Sequence, residues 1–332
     1  MTNLPTVGIL GLGSYVPPRI VTNFDLEKMV DTSDEWIRSR TGILTRHVVD
    51  DGVTTSDLAV VASLRALESA GTSASEIDLI IVGTAVPDMT LPATACLVQD
   101  RIGAVSASAF DLSIGCSGFI YALVVGAQFV RAGAYKKILV IGAETLSKIT
   151  DWQDRNTCIL FGDGAGAVVL GEVPEEEGIL SFDLGVDGAG GELLKLPAGG
   201  SRQPASHETV DNRLHYLKMR GNEVFKFAVK AIEESALRVL ERSRLTVAEV
   251  DCFVPHQANV RIIDASAKRL GIPRERVFVN VDRYGNTSSA SIPIALDEAV
   301  QEKRIGPGSL VLMVGFGGGL SWGSATVRWH SS

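Results

Sequence analysis

The sequence predicts an α/β fold with more than the usual three layers, and three observations carry that expectation. Short apolar runs rich in Val and Ile alternate with longer helical stretches along the chain. One of those helices is apolar on nearly every face, so it must be buried on all sides. The pattern of the first half also recurs in the second, about 170 residues later.

In chain order, Ser56 to Ala70 reads as a helix and Asp78 to Val86 (DLIIVGTAV) as a buried strand. The strand AFDLSI leads into a glycine turn and the all-round apolar helix Cys116 to Ala132. Ile138 to Ala143 and Ala165 to Leu170 are further strands. The second half repeats this with helix Asn222 to Glu241, strand Cys252 to Val254, helix Asn259 to Leu270, strand Val277 to Val281, helix Ser288 to Gln301 and strand Leu310 to Gly315. EIDLIIVGTA from Glu76 aligns with EVDCFVPHQA from Glu249, and FDLSIGCSGFIYAL from Phe110 has the layout of FVNVDRYGNTSSASIPIAL from Phe278. Two duplicated halves follow, residues 1–175 and 176–332, with matching strand-to-helix turns converging between them. Gly185 to Arg213, rich in Gly, Pro and Ser, is either their connector or a surface excursion.

Composition bounds the function. At 332 residues and 45% hydrophobic, the chain can bury a large core, as two domains or one large unit. A net charge of -8 with 6% aromatics argues against nucleic acid as a partner. The longest apolar stretch, Ile114 to Val130, is broken by Cys116, Ser117, Gly118 and Gln128, short of the roughly 20 residues a membrane span needs. MTNLPTVGILGLG has no basic region ahead of its apolar part, so no signal peptide is read and a cytoplasmic protein is expected. The four cysteines lack CxxC spacing, which disfavours a disulfide framework or a zinc site.

Cys116 opens the apolar helix, where the positive end of the helix dipole would favour thiolate. Cys96, Cys158 and Cys252 read as structural. His256, in VPHQAN, and Asn286, in YGNTSSAS, sit on turns that duplication would bring to the Cys116 turn. A nucleophile with two neutral hydrogen-bonding groups could hold a carbonyl oxygen as it gains charge. His47, His207, His215 and His330 read as structural. GFGGGLSWGSA from Gly315 allows close backbone approach to a ligand, or is simply a tight turn. GILGLGSYVP lacks the third glycine of a dinucleotide fingerprint, and FGDGAGAVVL lacks the Lys-Ser/Thr ending of a phosphate loop.

Together TSDEWIRSRTGI, GCSGFIYAL, DRNTCILFGDGAGAVVL, MRGNEVFKFAV, VPHQANVRII, YGNTSSASIPIAL and FGGGLSWGSA resemble the β-ketoacyl-acyl carrier protein synthase III family, over essentially the whole chain. The resemblance implies a thiolase-like five-layered αβαβα fold of two duplicated halves. It also implies a homodimer with neither cofactor nor metal, acting on acyl-CoA and malonyl-acyl carrier protein. Cys116 would carry the acyl group as a thioester, with its own N–H and that of Gly318 forming the oxyanion hole, and His256 and Asn286 would serve decarboxylation and condensation. Trp36, Arg40, Arg155 and Asn259 would bind CoA. Lys226, Arg261, Lys268 and Arg269 would face the carrier protein. Lys218 to Arg276 does hold a basic excess within the acidic chain. Leu91 would reach the acyl pocket across the dimer; it is smaller than the Phe of acetyl-preferring members, which leaves longer or branched primers open.

Departures from neighbouring families sharpen this. Elongating condensing enzymes have a second His where Asn286 stands, and biosynthetic thiolases a second Cys where Gly315 and Phe316 stand. Hydroxymethylglutaryl-CoA synthases need a Glu where Thr84 is followed by Ala85. Two alternatives stay open: a Cys-His-Asn acyltransferase or condensing enzyme of secondary metabolism, and a non-catalytic subunit that binds carrier protein.

Overall fold

The structure, a computed structural model, describes residues 4–330. Residues 1–3 and 331–332, the outer ends of the two expected halves and the start of MTNLPTVGILGLG, lie outside the described residues. The first sheet contains β1 (Thr6–Tyr15), β2 (Leu79–Gly83), β3 (Ser108–Leu112), β4 (Ile138–Thr145) and β5 (Asp163–Val173), in the order β1-β5-β4-β2-β3. The second contains β6 (Gly178–Val186), β7 (Cys252–Pro255), β8 (Leu310–Gly317) and β9 (Ser321–Arg328), in the order β6-β9-β8-β7. The order of the four-stranded sheet, and the parallel or antiparallel sense of each of its pairs, repeat those of β1-β5-β4-β2 in the five-stranded sheet. The duplicated sequence pattern is therefore a duplicated sheet.

Seven helices supply the remaining layers: α1 (Asp34–Thr41), α2 (Thr55–Ser69), α3 (Thr94–Arg101), α4 (Gly118–Arg131), α5 (Gly221–Arg242), α6 (Val260–Leu270) and α7 (Ser291–Gln301). Alternation along the strands decides which helix each residue meets. Ile80, Val82, Leu139 and Ile141 face outward onto Leu58, Ala62, Ala66 and Val98 of α2 and α3. Ile81, Val140 and Val168 face inward onto α4 and α7, whose other sides meet Val254, Val311, Met313 and Ala325 of the second sheet. Phe253, Leu312 and Val314 face outward onto α5 and α6. The result is five layers, αβαβα, with α4 and α7 in the middle. α4 is apolar all round because it has a sheet on each side.

One expectation needs correction, and one open alternative is decided. The strand expected over Val277 to Val281 is a single bridge, Phe253 with Val277, followed by a short helix from Val281. Beyond Val277 the ladder is replaced by one side chain: Gln257 Nε2 donates to Pro255 O (2.8 Å) and Phe278 O (3.2 Å), while its Oε1 accepts from Asn280 N (3.0 Å). A side-chain amide carries the same donor and acceptor as a peptide group, so backbone pairing becomes unnecessary there. Gly185 to Arg213 does not join the sheets. It begins inside β6 and is an excursion leading towards α5, whereas β5 and β6 are joined by the turn at Pro174–Glu177.

The halves meet tightly. A Cβ on Gly142 of β4 would lie 2.2 Å from Ser289 O, a backbone atom of the turn that carries Asn286. Gly142→Ala should therefore lower stability by more than about 2 kcal/mol, as overpacking against backbone does. Gly306→Ala, where nothing lies within 4 Å of the added carbon, should change it by less than about 0.5 kcal/mol. Urea denaturation of the two variants checks both.

Candidate active site

Cys116, His256 and Asn286 converge on one cavity of about 550 Å³. Cys116 and His256 stand on turns at the carboxyl ends of strands, where α/β folds leave room for ligands, and Asn286 on the turn after the short helix that begins at Val281. After β3, Gly115 takes φ +59 and bends the chain into a 3-10 turn, Gly115–Ser117, so that Cys116 precedes α4 rather than belonging to it. The residue after β7 is His256, whose N–H donates to Val314 O (2.8 Å). Asn286 follows Gly285, at φ +66, and its Oδ1 accepts from Ser288 N (2.9 Å).

The floor is buried and nearly uncharged. His256 Nδ1 lies 2.6 Å from Ser291 Oγ, its ring meets Phe316 edge-on at 5.1 Å, and its Nε2 is buried without a partner among the described residues. Burial with no carboxylate beside it drives the imidazole pKa down to about 3, so the ring is neutral. Burial, assisted by the nearby Glu144 carboxylate, pushes the Cys116 thiol up to about 12, although a hydrogen bond from Ser288 opposes it. This overturns the thiolate expected at the helix start: loss of solvation outweighs what the dipole offers. The glycine run lies against Cys116. A Cβ on Gly317 would sit 2.7 Å from Cys116 N, and one on Gly115 would sit 3.4 Å from Gly318 N.

The mouth is cationic and aromatic. Ser33 caps α1 by accepting from Trp36 N (3.1 Å), and Gly42, at φ +77, ends the helix where any Cβ would strike Val260. That contact docks α1 on α6 and sets Trp36 and Arg40 beside Asn259 and Arg261 in the lining. Arg155 stacks on Trp36, with its guanidinium 4.3 Å from the ring centre, and approaches Asp31 at 3.5 Å. The amide of Asn259 is already used: its Oδ1 caps α6 at Arg261 N (2.8 Å) and its Nδ2 donates to Arg40 O (3.0 Å). Lys226 on α5 and Lys268 on α6 are exposed, whereas Arg269 is paired with Glu233 at 2.8 Å. Leu91 is 85% exposed and lies outside the cavity.

Glu144, Ser288, Ser291 and Phe316 were not singled out as site residues from the sequence. The visible signal for Glu144 was a lone acidic residue closing the apolar strand ILVIGA. The serines were legible only as turn residues. Among the described residues no group of three or more His, Cys, Asp or Glu could hold a metal, and no helix is long and apolar enough to cross a membrane.

Residues 110–188 match the family model described as 3-oxoacyl-[acyl-carrier-protein] synthase III, and residues 240–329 match its C-terminal counterpart. The chain is 58% identical over 322 residues to the β-ketoacyl-[acyl-carrier-protein] synthase III of Caldanaerobacter subterraneus subsp. tengcongensis, covering 97% of each chain. It is 49% identical to the crystal structure of the Thermus thermophilus synthase III, with a TM-score of 0.91 and coverage of 98% and 100%. To the priming β-ketosynthase of the R1128 polyketide pathway it is 37% identical, with a TM-score of 0.91 and coverage of 100% and 98%.

The neutral imidazole has a consequence for stability. The unfolded chain takes up a proton at His256 as pH falls below 6.5, and the folded protein refuses it until about pH 3, so stability is lost through that window. Between pH 7 and pH 5 the loss from this group is about 2 kcal/mol. His256→Asn should flatten the curve by that amount when urea unfolding is compared at the two pH values.

Proposed function

The chain belongs to the β-ketoacyl-[acyl-carrier-protein] synthase III family, and we propose that its cavity runs the family's reaction as two half-reactions on Cys116. The activity is the initiating condensation of type II fatty acid synthesis, in which an acyl-CoA primer and malonyl-acyl carrier protein give β-ketoacyl-carrier protein, CoA and carbon dioxide. In the first half-reaction the Cys116 sulfur attacks the acyl-CoA carbonyl. The developing oxyanion is held by the N–H groups of Cys116 and Gly318, and CoA leaves. The second begins when malonyl-carrier protein enters and its thioester oxygen meets His256 Nε2–H and Asn286 Nδ2. Loss of carbon dioxide leaves an enolate on that oxygen, and its carbon attacks the acyl-Cys116 thioester. Neutral donors suffice, because carbon dioxide departs without its bonding electron pair and no base has to generate the carbanion.

The observation that carries this reading is the convergence of Cys116, His256 and Asn286 on one cavity with a cationic mouth. His256 suits the donor role because its Nε2 is the one ring nitrogen without a protein partner among the described residues. Trp36 and Arg155 clamp the adenine of CoA; Arg155 must swing off the indole for a base to enter. Arg40 serves the CoA phosphates, and Asn259 acts by fixing the mouth through α1 and α6. Arg261, Lys226 and Lys268 steer the acidic carrier protein, with Arg269 discounted by its pairing to Glu233. The halves 1–175 and 176–332 contribute the nucleophile and the His/Asn pair respectively. A homodimer in the cytoplasm completes the proposal, with Leu91 delivered to the partner's acyl pocket. A second reading, priming of a polyketide pathway, draws on the 37% identity to the R1128 ketosynthase and would use the same residues.

Incubation with a panel of acyl-CoAs, mass analysis of the Cys116 peptide and then addition of malonyl-carrier protein tests the assignment. Cys116→Ser should form no adduct. His256→Ala and Asn286→Ala should still acylate but condense about 10²- to 10³-fold more slowly; normal condensation by either would refute its role. Trp36→Ala should raise KM for acyl-CoA about tenfold with kcat little changed. Carrier proteins from fatty acid and polyketide systems, compared as acceptors, separate the two readings.

A further inference from the structure

A neutral imidazole carries one proton on either of two nitrogens, and only one of those tautomers can donate from the nitrogen that faces a substrate. In His256 the nitrogen left without a partner among the described residues is Nε2. Nδ1 lies 2.6 Å from Ser291 Oγ, a contact in which either atom could own the proton. A third group decides. The N–H of Gln257 donates to the same Ser291 Oγ at 3.3 Å. A backbone N–H can only donate, so the hydroxyl oxygen accepts there and its own proton must go elsewhere. Ser291 is only 2% exposed, and among the described residues the one partner that can take its hydroxyl proton is His256 Nδ1. With the ring proton on Nδ1 instead, Ser291 Oγ would receive two donors while its own buried proton found no acceptor, an unfavourable arrangement.

We propose that Ser291 sets the tautomer of His256: its hydroxyl donates to Nδ1 and thereby keeps the ring proton on Nε2, where the substrate oxygen can accept it. This rests on His256 serving as a donor to the malonyl thioester. The proton count closes along the chain. Gln257 N–H occupies one lone pair of Ser291 Oγ, the Ser291 hydroxyl occupies the lone pair of Nδ1, and Nε2–H is left over for the substrate. No bond to hydrogen has to break. As the enolate oxygen gains charge it accepts from Nε2–H, and the proton is still on the ring when that charge flows back into the new carbon–carbon bond. Ser291 acts only through the imidazole, so it is a positioning residue.

The surroundings hold this chain in one direction. Ser291 is the first residue of α7, the middle-layer helix, so the packing of both sheets fixes where its hydroxyl stands. Gln257 is pinned through its own side chain to Pro255 O, Phe278 O and Asn280 N, which fixes the segment whose N–H meets Ser291. A hydroxyl also suits the position better than a carboxylate would. An anion beside Nδ1 would draw a proton onto it and favour the charged ring, whereas a hydroxyl supplies its own proton and leaves the imidazole neutral, as its burial requires. Asn286 is oriented in the same way from the same stretch of chain: Ser288 N–H occupies its Oδ1 at 2.9 Å, which leaves Nδ2 as the free end of the amide. Residues 286–291 thus present the floor with two donors.

Nitrogen NMR of the full-length protein, labelled with ¹⁵N in its histidine rings, reads the tautomer directly, and His256→Ala identifies which signals belong to this ring among the five histidines. In the wild type at neutral pH, Nε2 should carry the proton and Nδ1 should be bare. A protonated Nδ1 in the wild type would overturn the proposal with no variant needed. Ser291→Ala, with folding checked by melting, should populate the Nδ1–H form. Its condensation should slow in proportion to the molecules that lose the Nε2 proton, by about tenfold, while acylation of Cys116 by acyl-CoA stays within about twofold of wild type. A folded Ser291→Ala protein that keeps the wild-type tautomer, whatever its rate, would reduce Ser291 to packing and overturn the proposal. Normal condensation by His256→Ala would instead strike at His256 as the donor, the reading on which the proposal rests.

Discussion

The structure depends on the burial of α4 between two sheets. Phe119, Ile120, Leu123 and Ala127 are wholly inaccessible and contact strands from both halves. Fully burying a side chain of the larger kinds contributes about 1.5–3 kcal/mol, so neither half could hold this helix alone without exposing a large apolar face. The helix begins at the residue pair following Cys116, which means that the force holding the halves together also fixes the nucleophile. Gly83 and Gly317 then allow close approach to the Cys116 turn and Gly142 to the Asn286 turn, since a Cβ at any of them would come within 3.0 Å of backbone in the facing segment.

Closure has an electrostatic consequence. A site sealed this well cannot hold a standing charge cheaply, and its groups settle in neutral forms: imidazole without its second proton, thiol with its first. Neutral groups are what an enolate-forming decarboxylation requires from its donors, because they stabilise charge that appears on the substrate without having to be desolvated themselves.

Much of this was legible in the sequence, for identifiable reasons. Strands β2, β4, β5 and β8 are buried on both faces, so they appear as runs rich in Val, Ile and Leu, and α4 betrays its middle layer by having no polar face. Cys116, His256 and Asn286 were legible through duplication, because matching turns in a repeated half have to meet. What escaped was what tertiary context decides. Val277 to Val281 has the Val-rich composition of a buried strand, but Gln257, far from it in the pattern, takes over the hydrogen bonds a strand would make. The expected thiolate failed because a helix dipole acts locally, whereas burial is set by the whole assembly. Glu144 looked like an ordinary charged residue ending a strand, and only folding brings Ser288 and Ser289 to it.

The charge of the cavity is graded from mouth to floor. Its mouth carries Arg40, Arg220 and Arg261 against the one carboxylate of Glu223, while its floor is made of neutral groups. Under the proposed function a phosphate-rich handle is held at the rim, where water still solvates the pair and release stays easy, and only the thioester end descends into the low-dielectric floor. Under that reading CoA and an acidic carrier protein each bring a charged body to the rim and a thioester to the floor. One channel can therefore serve both in turn, the second entering once the first has left its acyl group behind. The same gradient explains why the reactive floor needs no charged residue for substrate binding: affinity is supplied at the rim, and the groups around Cys116 are left free to respond to the charge that develops during reaction.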